Sequence, residues 1–121
     1  MVSIEPAHLV GTGGAIGALC RHYLGSAVDV EGFPLGTLTV NVLGSFVLGL
    51  VTFAGLGSDL LLFVGTGACG SFTTFSSFSV DTVHLWEYGD QFKAGLNATA
   101  NLAGALAAIG LAWGVVVLAG L

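Results

Sequence analysis

Gly65-Thr66-Gly67-Ala68-Cys69-Gly70-Ser71-Phe72-Thr73-Thr74-Phe75-Ser76-Ser77-Phe78 is an uncharged stretch of glycines, hydroxyls and aromatic rings set inside a long apolar segment. Gly65, Gly67 and Gly70 each weaken a straight helix by about 1 kcal/mol relative to alanine. Backbone that leaves the helix at membrane depth must be buried in protein or line a polar cavity, because lipid offers no partner for free N–H and C=O groups. The stretch therefore predicts an all-α integral membrane protein whose third transmembrane helix is broken mid-membrane. A permeation path or ion site is expected at that break.

The composition agrees. Only 7% of the 121 residues are charged and 55% are hydrophobic, against about 25% charged in a soluble domain, and the mean hydropathy is +0.96. A span takes about 20 apolar residues, so the length predicts four spans in a single domain, 1–121, at about 7–24, 35–55, 60–80 and 94–119. The net charge of −5, from two basic and seven acidic residues, argues against binding nucleic acid or anionic headgroups. Met1–Leu9 has neither a basic region nor a small-residue cleavage site, so the first apolar run reads as a retained span. Cys20 and Cys69 read as buried thiols acting as small hydrophobes.

Polar and small residues recur at steps of four, which keeps them on one helical face. The first span carries Gly13, Gly17 and Arg21, the second Thr37, Asn41, Ser45 and Gly49, the fourth Asn97, Asn101 and Ala105. Gly13 and Gly17 form a GxxxG pair of the kind that lets helices approach closely. Asp81–Lys93 reads as a solvated connection, with His8, His22 and His84 in termini or loops. Arg21 and Lys93 fall on the side reached after odd-numbered spans, which the positive-inside rule places in the cytoplasm. So small a bias leaves insertion in both orientations open.

Gly65–Gly70 spells GxGxxG, but that fingerprint has meaning only between a strand and a helix of a βαβ unit, and none is predicted. Arg21 reads either as an interface anchor or as an electropositive element beside an anion vestibule. Asn41 and Asn101 either glue helices together or, with the Thr73–Ser77 hydroxyls, line one path. Phe75 and Phe78 lie on one helical face beside the break, and ring edges turned toward a path favour a small anion. Asn97-Ala98-Thr99 is a glycosylation sequon placed too deep to be used. No nucleophile–base pair or paired carboxylates occur, so no enzyme is expected. No acid lies within the predicted spans, which counts against a proton-coupled exporter.

Gly13–Arg21, Pro34–Asn41 and Gly67–Phe78 together resemble the CrcB/Fluc fluoride channel family, in order and over nearly the whole chain. The resemblance implies a dual-topology antiparallel dimer in the cell membrane with two pores along the subunit interface. It implies that Asn41, Phe75 and Phe78 line the fluoride path, that Ser76 and Ser77 form part of a polar track, and that Arg21 lies toward a vestibule. Thr37 and Asn101, on the polar faces of their spans, are assigned to the same path. Backbone carbonyls of Gly70 and Thr73 match those that hold a structural sodium ion. Ala105 stands where many relatives have a serine and Ser71 where a glycine is usual, so a homodimer and a heterodimer with a paralogue both stay open. The expected function is passive, fluoride-selective export that relieves fluoride toxicity. The alternatives are a small four-span proton-coupled multidrug exporter, which needs a carboxylate in its first span, and a non-transporting membrane scaffold subunit.

Overall fold

A computed structural model describes residues 4–121, and the part of the Met1–Leu9 reading that rests on residues 1–3 lies outside them. The described chain is helical: α1 (Pro6–Val28), α2 (Leu35–Phe53), α3 (58–72), α4 (Phe75–Glu87) and α5 (Gln91–Ala119). No strand occurs among the described residues, only an isolated bridge between Val30 and Phe33 in the α1–α2 loop. Pro6 opens α1 where a helix has no use for an N–H. α4 and α5 are joined by a turn through Gly89, whose φ of +84° suits glycine. Asp90 then caps α5 by accepting the Lys93 N–H at 3.3 Å.

Leu35–Phe53, the 30-residue segment Ser58–Glu87 taken through its break, and Gln91–Ala119 are long and apolar enough to cross a membrane. α1, with 23 residues, has the length but is less apolar. α2 packs along α5, α1 along α3, and α4 against α5. The α1–α2 loop and the α4–α5 turn meet at one end, where Asp29–Pro34 and Asp81–Tyr88 line a common cavity.

The glycines do not break the third segment where the sequence predicts. Leu61–Cys69 is π-helical and runs on into Gly70–Phe72, with the Gly70 N–H shared between the Gly65 and Gly67 carbonyls. These glycines serve close packing instead. A methyl on Gly17 would meet the backbone of Ala68 (carbonyl carbon at 2.8 Å), and one on Gly67 the Val10 carbonyl at 2.7 Å. α1 and α3 thus touch backbone to backbone. The break falls later, at Thr73 (φ −84°, ψ 158°) and Thr74 (φ −148°, ψ 115°).

Three further readings are corrected. Asp81 and its neighbours are helical to Glu87, and Asp81 is half-buried rather than solvated, because its carboxylate accepts a hydrogen bond from α2. His22 and His84 lie on exposed faces of α1 and α4, not in loops. Cys69 is buried, but Cys20 is exposed on the surface of the single chain.

Gly17→Ala should destabilise the folded protein by about 2 kcal/mol, the usual cost of overpacking. Gly114→Ala, with nothing within 4 Å of the new methyl, should be neutral or slightly stabilising. Thermal unfolding in detergent measures both; equal melting temperatures would show that the α1–α3 contact tolerates a methyl.

Candidate functional site

Every helix break exposes backbone, and here the Asn41 side chain takes up the exposed groups. Its Oδ1 accepts the Thr74 N–H at 2.7 Å and its Nδ2 donates to the Thr74 carbonyl at 3.1 Å. The amide pairs with Thr74 as a neighbouring β-strand would, so the extended residue is satisfied without water. Thr74 also closes the next helix. Its Oγ1 accepts the Ser77 N–H at 3.1 Å, an N-cap for α4, and lies 3.3 Å from the Ser76 hydroxyl. Phe75 and Phe78 follow in that first turn, with ring centroids 5.7 Å apart and planes tilted by 43°.

From Asn41 a line of amides crosses to α5 and returns to α4. Asn41 Nδ2 donates to Asn101 Oδ1 at 3.0 Å. Asn101 Nδ2 donates to the Asn97 carbonyl at 2.9 Å and to Asn97 Oδ1 at 3.0 Å. Asn97 Nδ2 donates to Thr82 Oγ1 at 2.9 Å, which donates to the Phe78 carbonyl at 2.8 Å. Asn97 and Asn101 are buried, and no buried side-chain nitrogen or oxygen among the described residues lacks a partner. Such a network is stable in an apolar setting only because it is complete.

Two open-sided cavities meet at Thr74. The larger, about 560 Å³, is lined by Asn41, Ser45, Thr73, Thr74, Phe75, Phe78, Asn101 and Ala105 among others, none of them charged. The smaller, about 270 Å³, is lined by Arg21, Ser26, Asp29, Thr37, Thr74 and Ser77 among others. Asn41, Phe75, Phe78 and Asn101 therefore share one cavity, while Arg21, Thr37 and Ser77 share the other. Ser76 is exposed and lines neither. Arg21 sits inside α1, half-buried, and makes no ion pair among the described residues, where the one salt bridge joins Lys93 and Asp90 at 3.5 Å.

The break also bears on Gly70. In a continuing helix the Thr74 N–H would bond to the Gly70 carbonyl, but Asn41 takes it, so that oxygen loses its helical partner. Beyond its chain neighbours and its own helix backbone, no atom lies within 4 Å of where a Gly70 side chain would begin, so the position is open. Thr73 belongs to neither helix; its N–H and Oγ1 both bond to the Cys69 carbonyl, at 3.1 and 2.9 Å.

Three residues near the cavities escaped the sequence reading. Asp81 Oδ2 accepts the Thr37 hydroxyl at 2.8 Å, and Asp81 lines a cavity of about 250 Å³ with Asp29, His84 and Tyr88. The signal was available, since Phe75, Phe78 and Asp81 share a spacing of three, but an acid next to a charged stretch reads as loop. Thr82 carries no signal beyond its residue type, and Asn97 only its place in the stripe with Asn101 and Ala105.

A helical chain with several apolar helices, a broken segment and a buried amide network is a multi-spanning α-helical membrane protein. Residues 8–114 match the family described as "CrcB-like protein, Camphor Resistance (CrcB)", and the chain belongs to that family. It is 69% identical over 116 residues to "Fluoride-specific ion channel FluC 2" of Haloarcula marismortui, covering 96% of this chain and 98% of the relative. It is 51% identical over 108 residues to "Fluoride-specific ion channel FluC 1" of Halobacterium salinarum, covering 89% and 91%. It is 46% identical over 103 residues to "Fluoride-specific ion channel FluC" of Methanocaldococcus jannaschii, covering 81% and 83%.

Thr74→Val keeps the shape of the break but removes its cap, and should lower stability by about 1 kcal/mol. Thr74→Ser keeps the hydroxyl and should stay within about 0.5 kcal/mol of the parent. The comparison is a pair of thermal melts in detergent, and equal loss in both variants would rule the cap out as the cause.

Proposed function

We propose that this chain is a passive, fluoride-selective channel that carries fluoride out across the cell membrane and so relieves its toxicity. The observation that carries the reading is the uncharged cavity gathering Asn41, Phe75, Phe78 and Asn101 at the helix break, in a chain whose relatives are named fluoride-specific ion channels. Fluoride is small and strongly hydrated. A selective path replaces its water with close donors and avoids a fixed charge that would trap the ion. Ring edges carry partial positive charge, and hydroxyls rotate to donate. Arg21 lies in the neighbouring cavity with Asp29, Thr37 and Ser77, where it offers an anion a positive group without sitting between the rings.

The working unit is a four-span subunit, with α1, α2, α3–α4 and α5 as the spans, paired with a second copy of opposite orientation. Phe75 is 79% exposed in the single chain, so a ring assigned to the path wall is left facing outward, and a partner subunit completes that wall. The two cations, Arg21 inside α1 and Lys93 in the first turn of α5, give so little orientational bias that both insertions are accessible. A homodimer is the simplest form; Ala105, which brings no hydroxyl to its place in the cavity, keeps pairing with a paralogue in view.

A sodium ion is the structural cofactor in this reading, held by the carbonyls of Gly70 and Thr73. The donor chemistry fits. The Gly70 oxygen is stripped of its helical donor, and unwound carbonyls at a helix C-terminus suit a hard monovalent cation. Bound there, sodium supplies positive charge beside the path. An exporter driven by protons is disfavoured because α1 contains no acid: Glu5 and Asp29 are its two caps.

Purified protein in liposomes should release fluoride, read by an electrode, and retain chloride. No fluoride release by well-folded protein would overturn the reading for the chain alone, and co-expression with a relative would then test a mixed dimer. Phe78→Ile should abolish flux with the assembled protein intact by size-exclusion chromatography, and unchanged flux would remove the ring from the path. Replacing sodium by caesium should lower the melting temperature of the parent; an equal temperature in both salts would count against the cation.

A further inference from the structure

We propose that Asn97, which lines neither cavity at the break, is a positioning residue that holds the amides of Asn101 and Asn41 and the first turns of α4 in register. The proposal rests on the fluoride-path reading and adds to it a residue outside the path. Asn97 is 0% exposed, and burial of an amide in an apolar bundle is costly unless every polar atom is matched. Here they are matched in one direction. Asn97 Oδ1 and its own carbonyl both accept from Asn101 Nδ2, while Asn97 Nδ2 donates onward to Thr82 Oγ1.

That polarity is forced. A backbone carbonyl only accepts, so the Asn97 carbonyl fixes the nitrogen of Asn101 toward itself and leaves Asn101 Oδ1 for Asn41. The Thr74 carbonyl fixes the nitrogen of Asn41 in the same way at the far end. With two acceptors each, Asn41 Nδ2 and Asn101 Nδ2 have both hydrogens engaged. The line starts at Thr74 and ends at the Phe78 carbonyl, so both ends lie on the segment carrying Phe75 and Phe78. Asn97 is the link through which α5 holds the ring-bearing turns at two points, Thr74 and Thr82.

Removing the link should loosen the far amides, because Asn101 Nδ2 then keeps only the Asn97 backbone carbonyl and the tie to Thr82 is cut. Asn97→Leu keeps the volume and loses all side-chain partners, so fluoride efflux per folded dimer should fall roughly tenfold, as for the loss of one or two intramembrane hydrogen bonds. Asn97→Asp separates positioning from filling. Protonated, the new carboxyl accepts from Asn101 and donates to Thr82 as the amide does; ionised, it has no donor for Thr82. Efflux by Asn97→Asp should therefore approach the parent's at low pH and fall as the pH rises. Asp81, His84 and Glu87 on α4 and Asp90 and Lys93 at the start of α5 are the ionisable groups on these two helices, so each rate is taken relative to the parent at the same pH.

Charge repulsion of fluoride by the new carboxylate would give a similar profile, and Thr82→Val distinguishes the two. In Asn97→Asp/Thr82→Val the protonated acid has no Thr82 to bond, so recovery at low pH should disappear. Recovery that persists in the double variant, or wild-type efflux by Asn97→Leu at every pH, would overturn the proposal. Side-chain amide NMR of the parent and Asn97→Leu gives a readout independent of flux. Faster exchange at Asn101, which loses one acceptor, and at Asn41 through it supports the positioning role even if the parent passes no fluoride, and unchanged exchange at both refutes it.

Discussion

The pairing of one side-chain amide with one backbone residue is the constraint on which this structure turns. Asn41 gives Thr74 both an acceptor and a donor, and without it an extended residue inside an apolar bundle would leave two polar groups bare, at several kcal/mol each in a lipid setting. The clamp also decides what surrounds it. By taking the Thr74 N–H it ends α3 and strips the Gly70 carbonyl of its partner. By fixing Thr74 it aims the hydroxyl that starts α4, and with it the turn bearing Phe75 and Phe78. A single asparagine on α2 thus sets the end of one helix and the start of the next.

Glycine has two separate uses in such a chain, and the sequence does not distinguish them. Gly65, Gly67 and Gly70 look like a break because glycine lowers helix propensity. Intrinsic propensity is a small term beside the contact of two backbones, which only glycine permits at Gly13, Gly17 and Gly67. The helix survives as a π segment, and the break moves to two threonines whose residue type alone gives no warning. The fold brings Asn41, Phe75, Phe78 and Asn101 to one cavity, while Ser77 lines the other and Ser76 neither. Asn97 was read only as a step in a stripe, because its role depends on Thr82 reaching it from another helix.

Asp81 shows the opposite limit. Charge near the end of an apolar run normally signals water, and Asp81 opens the chain's most charged stretch. Helix geometry overrules that signal, since α4 continues to Glu87 and turns Asp81 back toward the Thr37 hydroxyl. A half-buried acid beside a cavity is a different object from a solvated one, and only the fold separates them.

Thr74 lines both cavities at the break, so the two adjoin at that residue. Water in such cavities conducts far better than the protein between them, and low-dielectric surroundings focus field lines into the gap. With both cavities wet, a membrane potential would fall more steeply around Thr74 than along the closely packed parts of the bundle. The electrical distance between the two cavities would then exceed their spacing along the bundle.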